Sequence, residues 1–136
     1  MRFDLHTHTT LSGCSQLDLQ EILSSAGDKG LDGVCITDHD TMDIRHHLQE
    51  GMQANGLCVI FGMEYATSEG DFLLFGPFEE ITRGLKAPEL LARVEEAGGV
   101  AVAAHPFRAA RPTREYLVEE GLCRIAEGVN GRNHPS

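Results

Sequence analysis

The stretch Phe3-Asp4-Leu5-His6-Thr7-His8 decides how the rest of the chain is read. It leads a short run of strand-forming character into two histidines one residue apart. If the run is a β-strand, alternate side chains share a face and both imidazoles can reach one metal ion. On a helix the same spacing would set them about 200° apart and spoil the geometry. Taken alone, the pair also reads as two surface histidines at a strand end. The choice between these depends on whether the later chain supplies more ligands.

Working outward, Thr9 to Gln16 is polar and turn-rich. Asp18 with Glu21 forms a capping box ahead of helically spaced Leu19, Ile22, Leu23 and Ala26, and Gly30 stops that helix. Gly33 to Thr37 reads as a buried strand carrying Asp38-His39-Asp40 at its carboxyl end. The spacing predicts a second helix over Met42 to Asn55, closed by Asn55-Gly56, with His46 and His47 on its solvated side. A third strand, Leu57 to Phe61, runs on to Glu64. A fourth spans Asp71 to Phe75, a helix with Pro88 at its first turn spans Ala87 to Ala97, and a fifth strand spans Val100 to Ala104 before His105-Pro106. A short helix near Thr113 to Glu120 and a last strand, Arg124 to Val129, complete the pattern. Continuous apolar strands alternating with helices imply an α/β fold with a mostly parallel sheet of five to six strands.

The 136 residues suit one domain, residues 1–136. Apolar residues at 41% and charged residues at 24% are those of a soluble globular protein. A net charge of −10, from 21 acidic against 11 basic side chains, argues against a grip on long duplex nucleic acid. An anionic substrate stays open, because bound cations invert the potential of a carboxylate pocket. The four cysteines form no Cys-x-x-Cys pair, hence neither a zinc ribbon nor a disulfide framework, and Cys35 and Cys58 read as buried thiols. With neither a membrane-length apolar run nor a signal-type leader, the expectation is a cytoplasmic protein without membrane contact.

The polar residues then fall into place. His6 and His8, Asp38 and His39, Glu64, and His105 each stand at the carboxyl end of a predicted strand, the edge where parallel α/β folds build their sites. Imidazole and carboxylate without clustered thiolates suit Zn, Mn or Fe. The surplus of ligands over one tetrahedral ion is explained if Glu64 bridges two ions about 3.5–4 Å apart. Such a pair favours phosphoester hydrolysis by a metal-activated water.

Phe3-Asp4-Leu5-His6-Thr7-His8-Thr9-Thr10-Leu11-Ser12, Ile36-Thr37-Asp38-His39-Asp40-Thr41, Gly62-Met63-Glu64 and Ala104-His105-Pro106 together closely resemble the PHP (polymerase and histidinol phosphatase) family, from residue 3 to about residue 133. The resemblance implies a distorted (β/α)7 barrel with two to three divalent metal ions at its mouth. It implies phosphoesterase chemistry on small metabolites, nucleotides or short oligonucleotides. Carried over, His6, His8 and Glu64 would hold one ion, Glu64 and His105 would share a second, and His39 would bind a third. Asp38 would support the ligands from behind or take the proton of the attacking water.

The chain departs from that pattern in three places. Where many relatives place an Asp or His after the histidine pair, it has Ser12-Gly13-Cys14-Ser15, making Cys14 a further candidate ligand. Where relatives often have a His before the fourth strand's apolar run, it has Asp71, an oxygen ligand in prospect. It ends before the late Gly-Ser-Asp-x-His motif, and Asn130-Gly131-Arg132-Asn133 reads as a family chain cut mid-course, with His134 in the tail. The barrel is therefore expected to be incomplete, with an open edge that a homo-oligomer could cover. Among Arg108, Arg111 and Arg114, Arg108 is the candidate for substrate phosphate, whose oxygens suit a guanidinium fork. The alternative to an enzyme is a non-catalytic metal-binding or interaction module of the same type.

Overall fold

The structure, a computed structural model, describes residues 1–130. The stretch from Gly131 on, including His134, lies outside the described residues. The chain divides into two compact units, Met1–Met63 and a second beginning at Glu64.

In the first unit, β1 (Phe3–Thr7), β2 (Gly33–Ile36), β3 (Gly51–Met52) and β4 (Cys58–Phe61) form a sheet in the order β1-β2-β4-β3. The pairs β1–β2 and β2–β4 are parallel, as the continuous apolar runs predict, while β3 is antiparallel to β4. Helix α1 (Leu19–Asp28) makes the crossover between β1 and β2. Its capping box is formed: Glu21 N–H donates to Asp18 Oδ1 at 2.8 Å, and Asp18 N–H to Glu21 Oε2 at 3.3 Å. The helix buries Ile22 and Ala26 against Val34, Ile36, Ile44, Leu57 and Val59, the core of this unit. Gly33 is required by close packing. A Cβ there would lie 2.1 Å from the Phe3 ring and 2.7 Å from the Cys58 carbonyl oxygen.

The helix expected over Met42–Asn55 is not formed. A single 3₁₀ turn, Asp43–His46, is followed by β3 and a turn through Gly56 (φ 83°) into β4. The polar run Gln49-Glu50 and Gly51 offers no continuous apolar stripe, and the Glu50 carboxylate accepts the Phe61 N–H at 2.8 Å beside the strand. His46 and His47 are exposed, and Cys58 is half-buried rather than buried.

The second unit contains a sheet in the order β5-β6-β7, formed by β5 (Met63–Thr67), β6 (Gly70–Phe75) and β7 (Val100–Ala104). Here the expectation of a mostly parallel sheet fails: β6 and β7 are antiparallel, pairing Asp71 with Ala104 and Phe75 with Val100. A separate β5 is a further departure from the expected pattern. The run through Gly62-Met63-Glu64 begins a new strand that turns back through Ser68-Glu69 into β6. Helix α2 (Ala87–Glu96) carries Pro88 in its first turn, buries Leu90, Leu91 and Val94, and ends before Gly98 at φ 80°. Helix α3 (Tyr116–Glu119) is one turn long. The expected last strand reduces to a parallel bridge of Ala126 with Ala103. Among the described residues no helix is long and apolar enough to cross a membrane.

Candidate functional site

In the first unit the strand pairing becomes irregular where the candidate ligands begin. The β1–β2 register shifts between Asp4 and Thr7, so three steps along β1 match two along β2. Such an irregularity re-aims side chains at a strand end. His6 and His8 are half-buried, with their Nε2 atoms 3.0 Å apart. His39, exposed, stacks on His8 with ring centroids 4.4 Å apart. One donor atom from each of His8, Cys14 and His39 falls within 4.8 Å of the others, so the loop that departs from the family pattern does bring a thiol to the histidines.

Asp38 is 1% exposed, and its carboxylate accepts three hydrogen bonds, from Thr9 N–H, Thr9 Oγ1 and Ser12 Oγ, each at 2.7 Å. Those bonds tie the loop after β1 to the end of β2. Thr9 and Ser12 are themselves buried, and sequence reading missed both; two hydroxyls shortly after a histidine pair were the available signal.

In the second unit Glu64, Asp71 and His105 are 1%, 4% and 3% exposed, with donor atoms within 4.8 Å of one another. His105 Nε2 lies 2.8 Å from Glu64 Oε1 and 3.6 Å from Asp71 Oδ2. The antiparallel register explains the meeting. Asp71, near the start of β6, pairs with Ala104, the last residue of β7, so it stands beside His105. His105 has φ 30°, a conformation costly for a residue with a Cβ. Its backbone is held on both sides: its N–H donates to Glu127 Oε2 at 2.6 Å, and its carbonyl accepts from Arg108 N–H at 3.0 Å. Glu127 is another residue the sequence reading missed.

Two buried carboxylates side by side are unfavourable without compensating positive charge. Arg111 supplies part of it. Its Nε lies 3.1 and 3.0 Å from the two Asp71 oxygens, while Nη2 donates to Asp71 Oδ1 at 2.6 Å and to the Thr67 carbonyl at 2.9 Å. Arg108, the arginine singled out for phosphate, is half-buried. The donor sets, imidazole with a thiol in one unit and imidazole with two carboxylates in the other, fit divalent Zn, Mn or Fe. Glu64 belongs to the second unit, so its sharing of an ion with His6 and His8 stays an expectation of the family resemblance.

Of the thiols, burial pushes Cys35 up to about 11, with Asp4, Cys58 and Glu50 adding to the shift, and burial also raises Cys123. Both are unreactive core groups.

A structural alignment covers 99% of this chain and 79% of a candidate metal-dependent phosphoesterase from Bifidobacterium adolescentis, at a TM-score of 0.74 and 18% identity. PsfC from Pseudomonas syringae matches with a TM-score of 0.69 and 18% identity, covering 93% of this chain and 65% of that one. An uncharacterized protein of Methanocaldococcus jannaschii is 32% identical over 117 residues, 79% of this chain and 68% of its own length. The PHP domain model matches residues 4–120. The mixed α/β architecture, two sheets with few helices, is that of PHP-domain structures, and the chain belongs to the PHP domain family.

Proposed function

We propose that the protein is a metal-dependent phosphoesterase acting on small phosphorylated metabolites, nucleotides or short oligonucleotides. The observation that carries this reading is the buried group Glu64, Asp71 and His105, two carboxylates and an imidazole converging at almost no solvent exposure. Family membership supports it. Glu64, Asp71 and His105 would hold a divalent ion in the second unit, and His6, His8, His39 and Cys14 would provide ligands in the first. Ions bound there would polarise a phosphoryl oxygen and make a water nucleophilic near neutral pH.

The chain's own residues have separable tasks. Asp38 holds Thr9 and Ser12 in place and so orders the loop that carries His8. With three donors already on its carboxylate, it is proposed as a positioning residue rather than the proton acceptor. Glu127 fixes the backbone of His105. Arg111 balances Asp71, and Arg108 is the proposed contact for substrate phosphate.

A non-catalytic metal-binding module is the second reading, favoured by the Arg111 fork that already engages both Asp71 oxygens. Metal analysis together with turnover of bis(p-nitrophenyl) phosphate separates the two. Divalent ions bound in the purified protein, with turnover lost on chelation and restored by Mn or Zn, are the expected result. Tight metal with no turnover of phosphomonoesters or phosphodiesters would sink the enzyme reading.

A further inference from the structure

Ser12 is 2% exposed and its hydroxyl oxygen meets three groups: Asp38 Oδ1 at 2.7 Å, His39 N–H at 3.0 Å and His8 Nδ1 at 3.3 Å. A serine hydroxyl has one proton to give and two lone pairs to offer. The Asp38 carboxylate can only accept, so the single proton goes to it. The His39 N–H takes one lone pair. What remains to face His8 is the other lone pair, and a ring nitrogen meeting a lone pair must carry hydrogen. The contact to His8 is long for a hydrogen bond; the count of donors, not the distance, decides its direction.

We propose that Ser12 sets the tautomer of His8, holding the proton on Nδ1 and leaving Nε2 unprotonated as the acceptor. The proposal rests on the reading of His8 as a metal ligand given above. Nε2 is the atom that lies 3.0 Å from His6 Nε2, so the lone pair is presented where the two imidazoles converge. A metal accepts only an unprotonated nitrogen, and the hydrogen bond made by the other ring nitrogen selects which one that is. The order of the relay is Asp38 to Ser12 to His8. The carboxylate charge commits the serine proton away from the ring, which makes Ser12 an obligate acceptor toward His8. A role limited to shaping the loop, through the Ser12 N–H bond to the Thr9 carbonyl at 3.0 Å, would leave the tautomer unspecified.

The test is long-range ¹⁵N NMR of the metal-free full chain at about pH 8, above the ordinary histidine range. The His8 signals are identified by their loss in His8→Gln. Neutral His8 is expected as the Nδ1–H tautomer in the unsubstituted protein, a readout that needs no variant to fold. In Ser12→Ala the ring should shift toward Nε2–H, and zinc affinity by competition with a chromophoric chelator should fall about tenfold or more. Ser12→Thr, which keeps the hydroxyl, should restore both. An Nε2–H tautomer in the unsubstituted protein overturns the proposal, as does an unchanged tautomer in a folded Ser12→Ala. Undiminished zinc binding by His8→Gln would instead remove His8 as a ligand while leaving the tautomer result standing, so the two failures are distinguishable.

Discussion

The first unit carries its candidate ligands at the end of β1 and on the loops beyond a mostly parallel sheet, half-buried or exposed, and keeps them in order with hydroxyls anchored to one buried carboxylate, Asp38. The second sinks its candidate ligands into an antiparallel sheet, nearly solvent-free, where two carboxylates lie side by side and Arg111 supplies positive charge to Asp71. One unit uses its hydrogen bonds for orientation, the other for charge. Under the proposed function, the same class of metal chemistry would thus be approached by two different physical solutions. Substitutions should hurt them differently: geometry errors in the first, uncompensated charge in the second.

The largest expected effect tests whether both solutions serve one reaction. His8→Ala and His105→Ala should each lower kcat/KM on a generic phosphodiester by about a thousandfold, the several kcal/mol of charge stabilisation ascribed to a bound ion. Full activity in either variant would break the comparison by assigning the chemistry to one unit. Next comes Gly33→Ala, which forces a Cβ against the Phe3 ring and a backbone oxygen and should destabilise the folded protein by about 2 kcal/mol in urea unfolding. Unfolding that is unaffected would show that β1 and β2 can separate without loss, and that the His6–His8 end of the sheet is not rigidly supported.

Arg111→Ala should be milder. The arginine side chain is 43% exposed, so about 1 kcal/mol is expected rather than the larger loss seen when a fully buried pair is broken. Added Mn or Zn should reduce that deficit, since a bound cation replaces the missing charge on Asp71 and Glu64. A deficit insensitive to metal would mean that Arg111 acts by packing alone.

The smallest effect concerns the thiols. Cys35 is raised from 9.0 to about 11 in the folded protein. The stability contributed by its neutral thiol is therefore complete below pH 9 and is lost as pH rises through about 11. Iodoacetamide at pH 8 should modify exposed Cys14 and spare Cys35, and zinc should slow the reaction at Cys14 if that thiol joins His8 and His39. Equal labelling of Cys14 with and without zinc would remove it from the ligand set.

The first unit was the more legible of the two in sequence. Its strands β2 and β4 are near-continuous apolar runs, and the capping box at Asp18 and the crossover helix follow from local rules that need no partner. The middle stretch was not legible. Met42–Asn55 holds helix-compatible residues, yet Gly51 and a short pairing with β4 decide it, and pairing is non-local. In the second unit Glu64 and His105 stood out by residue type. Asp71 was reached only through its departure from a family pattern, and Arg111 and Glu127 carried no local mark of the partners they hold.

Sequence by itself determined the donor chemistry: histidines and acids next to strand-forming runs, in an acidic chain with no clustered thiolates. Tertiary structure decided which donors meet. Antiparallel pairing brings the start of β6 beside the end of β7, joining Asp71 to His105 across a register that no spacing along the chain encodes. It also decided what surrounds each donor. Ser12 reaches His8 and Asp38 only because the loop folds back on itself, and the protonation of a ring nitrogen depends on that neighbour. Residue identity sets what a side chain can donate or accept; only the fold sets what it faces.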